Sequence, residues 1–371
     1  MSDIPARPPQ DGERLLDVRN LHMWFTRQKG PFGRETRYVK AVDNVSFTIR
    51  PGETLGLVGE SGCGKTTVGR CIVRAYRPTS GQILYNAGAD DPATTGGPVD
   101  LAQLERPQLR PYRQQIRMIF QDPYSSLNPR MTVFEIVAEV LKVNRLAAGS
   151  ELEARVAHLL QRVGLRPEYM RRYPHAFSGG ERQRIVIARA LATNPRLIVA
   201  DEAISALDVS IRAQVLNLLE DLQAEMGLTY LFIAHDLSVI RHICDRVSVM
   251  YVGKLVESAE ATALYTHPRH PYTEALLSAV PIHNPRQRDR SRRIRLEGDV
   301  ADPANPPTGC YFHPRCRYAQ TRCALEEPPL RPIETRGPDG SASPHYVACH
   351  FAEGLSLRGV IAEDRISPTG D

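Results

Sequence analysis

Gly59-Glu60-Ser61-Gly62-Cys63-Gly64-Lys65-Thr66 decides how this chain reads: it fits G-x-x-x-x-G-K-[ST] between a short apolar run, Thr54–Val58, and a helix starting at Lys65. Glycines let backbone amides turn inward, and the helix N-terminus adds positive potential. Lys65 is spaced to reach terminal phosphates, and Thr66 offers a hydroxyl to Mg²⁺. Gly59, Ser61, Gly62, Cys63, Gly64 and Thr67 complete the same turn. Strand, glycine-rich turn and helix in that order predict a nucleotide phosphate site.

Upstream of the loop, residues 14–25 and Val39–Ile49 alternate apolar and polar like half-buried strands, with a Gly30–Gly33 loop between them. Downstream, the polar stretch GADDPATTGGP, 88–98, reads as a surface insertion, and Ile116–Phe120 as a buried strand. Val133–Val143, Leu152–Val163 and Glu181–Leu191 carry apolar residues at helical spacing. Strand and helix signals then alternate: Leu197–Ala200, Ile211–Glu225, Tyr230–Ala234, Leu237–Ile243, Val247–Tyr251. The pattern predicts an α/β parallel core with a helical insert at about 122–193.

Leu197–Ala200 delivers Asp201 and Glu202 to its C-terminal end, where ligands bind in open α/β sheets. Asp201 is the expected Mg²⁺ partner, and Glu202 the group that polarises an attacking water. Phe177-Ser178-Gly179-Gly180-Glu181-Arg182-Gln183-Arg184 opens another helix with exposed amides. Such a helix start reads either as an ordinary Ser N-cap with flexible glycines or as a second anion site, for a nucleotide held by a different subunit.

The whole chain has 371 residues, 47 Lys plus Arg and 42 Asp plus Glu, a net charge of +5. So mild a balance argues against a chain built to hold nucleic acid. The opening MSDIPARPPQDG has no apolar h-region, and no membrane-length apolar run occurs, so neither a secretion signal nor a membrane span is expected. Beyond Pro285 the texture changes: Arg286–Arg295 is arginine-rich and reads as a solvated linker, followed by proline-rich sequence with few apolar runs. Cys310, Cys316, Cys323 and Cys349 lie there, without the C-x-x-C knuckles of structural zinc. Four irregularly spaced thiolates suit a [4Fe–4S] cluster; zinc is the alternative, with His313 and His350 beside the cysteines. Such a tail is expected to have little core and to need a metal to fold. Cys63, beside a helix N-terminus and Lys65, is expected to favour its thiolate.

Taken in order, these motifs resemble the ATP-binding cassette (ABC) family over roughly residues 14–280. Gln121 fits the Q-loop, Ser205-Ala206-Leu207-Asp208 the D-loop, and His235 the switch histidine; Phe25 stands where the family stacks an aromatic on adenine, with Tyr38 a substitute. Phe120–Pro129, His270–Thr273, Leu276–Pro281 and Gly309–Cys316 extend the resemblance to the ATPases of oligopeptide and dipeptide importers, nearer the second of their paired subunits. The resemblance implies a P-loop (RecA-like) ABC ATPase core with an antiparallel β subdomain, a helical signature subdomain and a small Cys-rich C-terminal extension. Residues 1–13 are expected to be disordered, 14–284 to form the ATPase domain and 285–371 the extension.

It further implies ATP and Mg²⁺ as cofactors, with Mg²⁺ at Thr66, Gln121 and Asp201, and catalysis by Glu202, His235 and Gln121. Ser178, Gly179, Gly180, Glu181 and Asp208 would complete a partner's ATP site. Implied partners are a homologous ATPase forming a heterodimer, two transmembrane permease subunits and an extracytoplasmic solute-binding protein, with the chain peripheral on the cytoplasmic face of the inner membrane. The sequence departs from the family pattern in Glu181 for the usual glutamine, in Ala203 for the usual proline, and in the long 88–98 loop. A soluble cassette ATPase of translation, ribosome recycling or DNA repair is the competing class. A single phosphate loop and the short Lys65–Ser178 interval disfavour it.

Overall fold

The parallel strands are written in the sequence as unbroken apolar runs, because a strand covered on both faces has no polar side to show. The structure, a computed structural model, describes residues 14–29, 35–86, 88, 97–205, 207–280, 293–336 and 342–360. The predicted N-terminal tail, the Gly30–Gly33 loop, most of the 88–98 insertion, Ala206, Pro281 and Arg286–Arg292 lie outside the described residues.

The elements run β1 (Leu16–Lys29), β2 (Glu35–Ile49), β3 (Thr54–Val58), α1 (Lys65–Ile72), β4 (Ser80–Tyr85), β5 (Val99–Asp100), α2 (Arg110–Gln115) and β6 (Ile116–Ile119). The helical stretch follows as α3 (Pro123–Ser126), α4 (Val133–Val143), α5 (Gly149–Arg162) and α6 (Gly179–Leu191). Then come β7 (Leu197–Asp201), α7 (Val209–Met226), β8 (Thr229–Ala234), α8 (Leu237–Ile243), β9 (Arg246–Tyr251) and β10 (Lys254–Glu260). The chain closes with α9 (Ala261–Thr266), α10 (Pro271–Ser278), α11 (Thr321–Leu325), β11 (Arg331–Arg336) and β12 (Ala342–Val347).

Two compact units emerge. The first comprises Met1–Met23, Asp43–Leu55 and Thr66–Ala234. In it β6, β7 and β8 pair in parallel, Ile116 opposite Leu197 and Leu197 opposite Thr229, and every residue of β7 and β8 is buried. Helix α1 lies close on them: a side chain added at Gly69 would stand 2.9 Å from both Ile233 and Val199. A separate antiparallel sheet has the order β2-β1-β4-β5. Helix α4 starts where Thr132 and Glu135 close a capping box, which satisfies amides that a helix end leaves unpaired.

The second unit comprises Trp24–Val42, Gly56–Lys65 and His235–Asp371. Here β9, β10, β12 and β11 form an antiparallel sheet in that order. The extension, expected to have little core, carries two paired strands and a small apolar cluster. Strands β11 and β12 make a hairpin that adds to β10, with Ser258 opposite Tyr346, and Ile333, Val347 and Ala352 form a small apolar core. Phe312 is buried against Tyr251 and Tyr272, each ring centre 5.3 Å away. Carboxylates anchor the rest. Glu257 accepts from His345 at 2.6 Å, and Glu274 from Arg317 at 3.0 Å, both carboxylates being buried.

Candidate functional site

The phosphate-loop glycines are dictated by space as well as by torsion. Gly64 has φ +107°, and a Cβ there would stand 2.0 Å from the Ala41 carbonyl oxygen; one at Gly59 would stand 2.1 Å from that of Met250. No side chain fits either position. Lys65 is buried and its Nζ donates to the carbonyls of Gly59 at 2.7 Å and Glu60 at 2.9 Å, so the ammonium is held inside the loop's curve. Cys63 reverses its expectation: the thiol is buried, and desolvation raises its pKa in spite of Lys65 at 3.6 Å. Burial outweighs the nearby charge, so the neutral thiol is favoured.

Two residues from the importer-like runs His270–Thr273 and Gly309–Cys316, to which sequence reasoning gave no role of their own, hold the loop from outside. Tyr272 Oη accepts from the Glu60 amide at 2.8 Å, and Arg315 clasps the Glu60 carboxylate with Nη1 and Nη2 at 2.8 and 3.2 Å. In the same unit, His235 is exposed directly after β8, Phe25 is half-buried on β1, and Tyr38 is exposed with its ring centre 6.2 Å from that of Trp24.

In the first unit, side chains from three distant motifs converge. Thr66 Oγ1 donates to Asp201 Oδ1 at 2.9 Å, and Gln121 Nε2 donates to Glu202 Oε2 at 2.8 Å. Asp201 is buried at the end of β7. Glu202 has φ +46°, a sparsely populated conformation for a residue with a side chain, and its amide donates to the Ile233 carbonyl at 2.9 Å. Such a turn right after a strand swings the carboxylate away from the strand path, and strain of this kind gathers at functional sites. Each pair offers oxygen ligands of the kind that a hard divalent cation such as Mg²⁺ takes.

Ser178 begins α6 and joins Glu181 in a capping box. Glu181 Oε2 accepts from the Ser178 amide at 2.9 Å and hydroxyl at 2.8 Å. The acidic residue standing for the usual glutamine therefore folds back on its own serine. Gly180 packs on Ile211, where a Cβ would meet Cγ2 at 2.4 Å. Asp208 is the N-cap residue of α7 and makes no side-chain capping bond.

Cys310, Cys316, Cys323 and Cys349 line one cavity, with His313 and His350 at its wall. Burial raises the Cys310 thiol to about 12 and the Cys316 thiol to about 11. Four thiols around one space fit a group that takes one thiolate per iron. Among the described residues, however, no group of three or more His, Cys, Asp or Glu side chains is placed to hold a metal ion. That favours neither the cluster nor zinc, and the cavity shows only that the four thiols share one space.

Loop, paired carboxylates and helical stretch define a phosphate-loop nucleotide hydrolase. Residues 42–205 match the family model "ABC transporter", and residues 256–323 match "Oligopeptide/dipeptide transporter, C-terminal region". The oligopeptide transport ATP-binding protein AppF of Bacillus subtilis (strain 168) is 50% identical over 340 residues, covering 91% of this chain and 98% of AppF. The probable peptide ABC transporter ATP-binding protein y4tS of Sinorhizobium fredii is 46% identical, covering 96% and 94%. Against the glutathione import ATP-binding protein GsiA of Salmonella typhimurium, identity is 47% over 94% of this chain and half of GsiA. Among solved structures, the dimeric post-hydrolysis ATP-binding cassette MJ0796 with ADP and Pi is similar at a TM-score of 0.56 and 28% identity, over 66% of this chain and 98% of that one.

The chain belongs to the ABC transporter family, among the ATP-binding proteins of its oligopeptide/dipeptide group. It is an ATPase subunit, and the ABC cassette fold expected from the sequence is the fold it has. No helix among the described residues is long and apolar enough to cross a membrane.

Proposed function

We propose that this chain energises import of peptides or related small solutes by binding and hydrolysing MgATP. The observation that carries the reading is the meeting of Thr66, Asp201, Gln121 and Glu202, four side chains from three motifs. Gly59, Ser61, Gly62, Cys63, Gly64 and Thr67 cradle phosphates, Lys65 neutralises the terminal ones, and Phe25 stacks on adenine. Thr66, Asp201 and Gln121 are the residues to hold Mg²⁺, which when bound neutralises charge developing on the β- and γ-phosphates. Glu202 orients the attacking water and accepts its proton, and His235 contacts the γ-phosphate.

Ser178, Gly179, Gly180, Glu181 and Asp208 serve the ATP of a second, homologous ATPase in a heterodimer. ATPase residues 14–284 and extension 285–371 divide the labour. Two permease subunits and an extracytoplasmic binding protein complete the transporter, placing the chain at the cytoplasmic face of the membrane. Exposed Phe120, Tyr124 and Tyr173 in the first unit are apolar surface of the kind that docks partners. In the extension, the four cysteines would hold a [4Fe–4S] cluster, which would cross-link the tail and make it redox-sensitive.

Assembly tests the reading. Purified alone, the chain should hydrolyse ATP weakly, and adding the second ATPase with the permease subunits should raise turnover. Full activity in a verified monomer would contradict a site completed in trans.

A further inference from the structure

We infer that Arg315, carried by the cysteine-bearing extension, is a positioning residue for the phosphate loop, holding Glu60 in place and cancelling its charge. The inference rests on the reading of Gly59–Thr66 as the ATP phosphate site. Glu60 is the second residue of that loop, an unlikely place for an anion: a carboxylate there repels the polyphosphate the loop is built to attract. Arg315 meets it with two nitrogens, the paired geometry that gives guanidinium–carboxylate contacts their strength and direction. The Arg315 side chain is 7% exposed and that of Glu60 27%, so the guanidinium is held in place by its surroundings while the carboxylate stays within reach of solvent and salt.

The arginine is held ready. His313–Arg315 is a single 3-10 turn; the Arg315 amide donates to Phe312 at 3.0 Å and the Cys316 amide to His313 at 3.2 Å. Phe312 plugs the aromatic cluster of Tyr251 and Tyr272 at the turn's base. Glu60 is meanwhile fixed at three points: amide to Tyr272, carboxylate to Arg315, carbonyl to Lys65. Movement of the Arg315 turn is therefore felt by a carbonyl that orients Lys65. The extension is part of the ATP site, and Cys310 and Cys316, flanking the turn, tie the thiol cluster to it.

The test is MgATP binding by the full chain, measured by calorimetry for wild type, Arg315→Ala, Arg315→Lys, Glu60→Gln and the double variants. Arg315→Ala should weaken MgATP about tenfold or more, and the loss should shrink as salt rises, because repulsion by a bare Glu60 is screened. In the Glu60→Gln background the same substitution should cost less than about threefold. If Arg315→Ala fails to fold, Arg315→Lys decides: about a threefold loss is expected, abolished in the Glu60→Gln background. Unchanged affinity, or a loss equally large with Glu60→Gln and indifferent to salt, overturns the inference. Lys65→Ala separates the failures: if it also binds MgATP normally, the phosphate-site reading itself is wrong.

Discussion

His345→Ala removes an imidazole N–H from a carboxylate that has no contact with solvent. The side chains of His345 and Glu257 are 1% and 0% exposed, and Nε2 stands 2.6 Å from Oε1. A carboxylate only accepts, so the ring carries its proton on Nε2; Nδ1 is buried with no hydrogen-bond partner among the described residues. After the substitution Glu257 keeps two donors, the amides of Arg269 at 2.7 Å and His270 at 3.0 Å, so it is weakened but not stranded. Losing one hydrogen bond to a charged group costs about 1.5–3 kcal/mol. The space left by the ring adds about 1 kcal/mol. For a cooperative unit of roughly 150–250 residues, about 2–4 °C of Tm is lost per kcal/mol, so the midpoint should fall by about 5–15 °C. Thermal unfolding reads the midpoint, and hydrogen exchange reads the place: β11 and β12 should lose protection while β6, β7 and β8 keep theirs. His345→Gln, which restores an N–H donor, should recover part of the loss. A midpoint within about 1 °C of wild type, or a loss of protection spread evenly over the chain, would refute the view that this pair fastens the hairpin.

Gly180→Ala should destabilise by about 1–3 kcal/mol through the clash with Ile211, whereas Gly179→Ala, whose Cβ meets Leu207 at an ordinary 3.7 Å, should melt like wild type. Cys63 should resist maleimide in the native chain at pH 8 with or without MgATP and label only on unfolding, since burial raises its pKa; rapid native labelling would contradict that burial. Anaerobically purified protein should be brown and contain about four irons per chain. Colourless protein with one zinc would decide for the alternative, and metal-free protein would remove both.

What the sequence disclosed was local, and what it hid was long-range. Thr54–Val58 and Leu237–Ile243 were legible to the residue because an apolar run, a turn and a helix start sit side by side in the chain. Helix α4 was likewise bounded by its own Thr132 and Glu135. Strands β11 and β12 were missed for two reasons. Each carries a proline, Pro332 and Pro344, a residue that argues against a strand, and their partner β10 lies some ninety residues upstream, Ser258 opposite Tyr346. Besides Ile333 and Val347, the hairpin buries His345 against Glu257 of β10, a polar pair that no hydrophobic period reveals. Arg315 lay in the importer-like run Gly309–Cys316, but nothing in the sequence tied it to Glu60, 255 residues upstream. At the nucleotide site, residue types and spacing pointed to Thr66, Asp201 and Glu202, and the family resemblance to Gln121, but the back-folded Glu181 and the positive φ of Glu202 needed coordinates.

The measurement that bears most directly on the central claim is steady-state ATP hydrolysis by Glu202→Gln in the assembled transporter, with MgATP binding measured on the same preparation. The substitution keeps the shape of the side chain beside Gln121 and removes the proton acceptor. MgATP should bind about as tightly as to wild type while kcat falls by about 100-fold or more. Near-normal turnover with intact binding would mean that Glu202 does not activate the water.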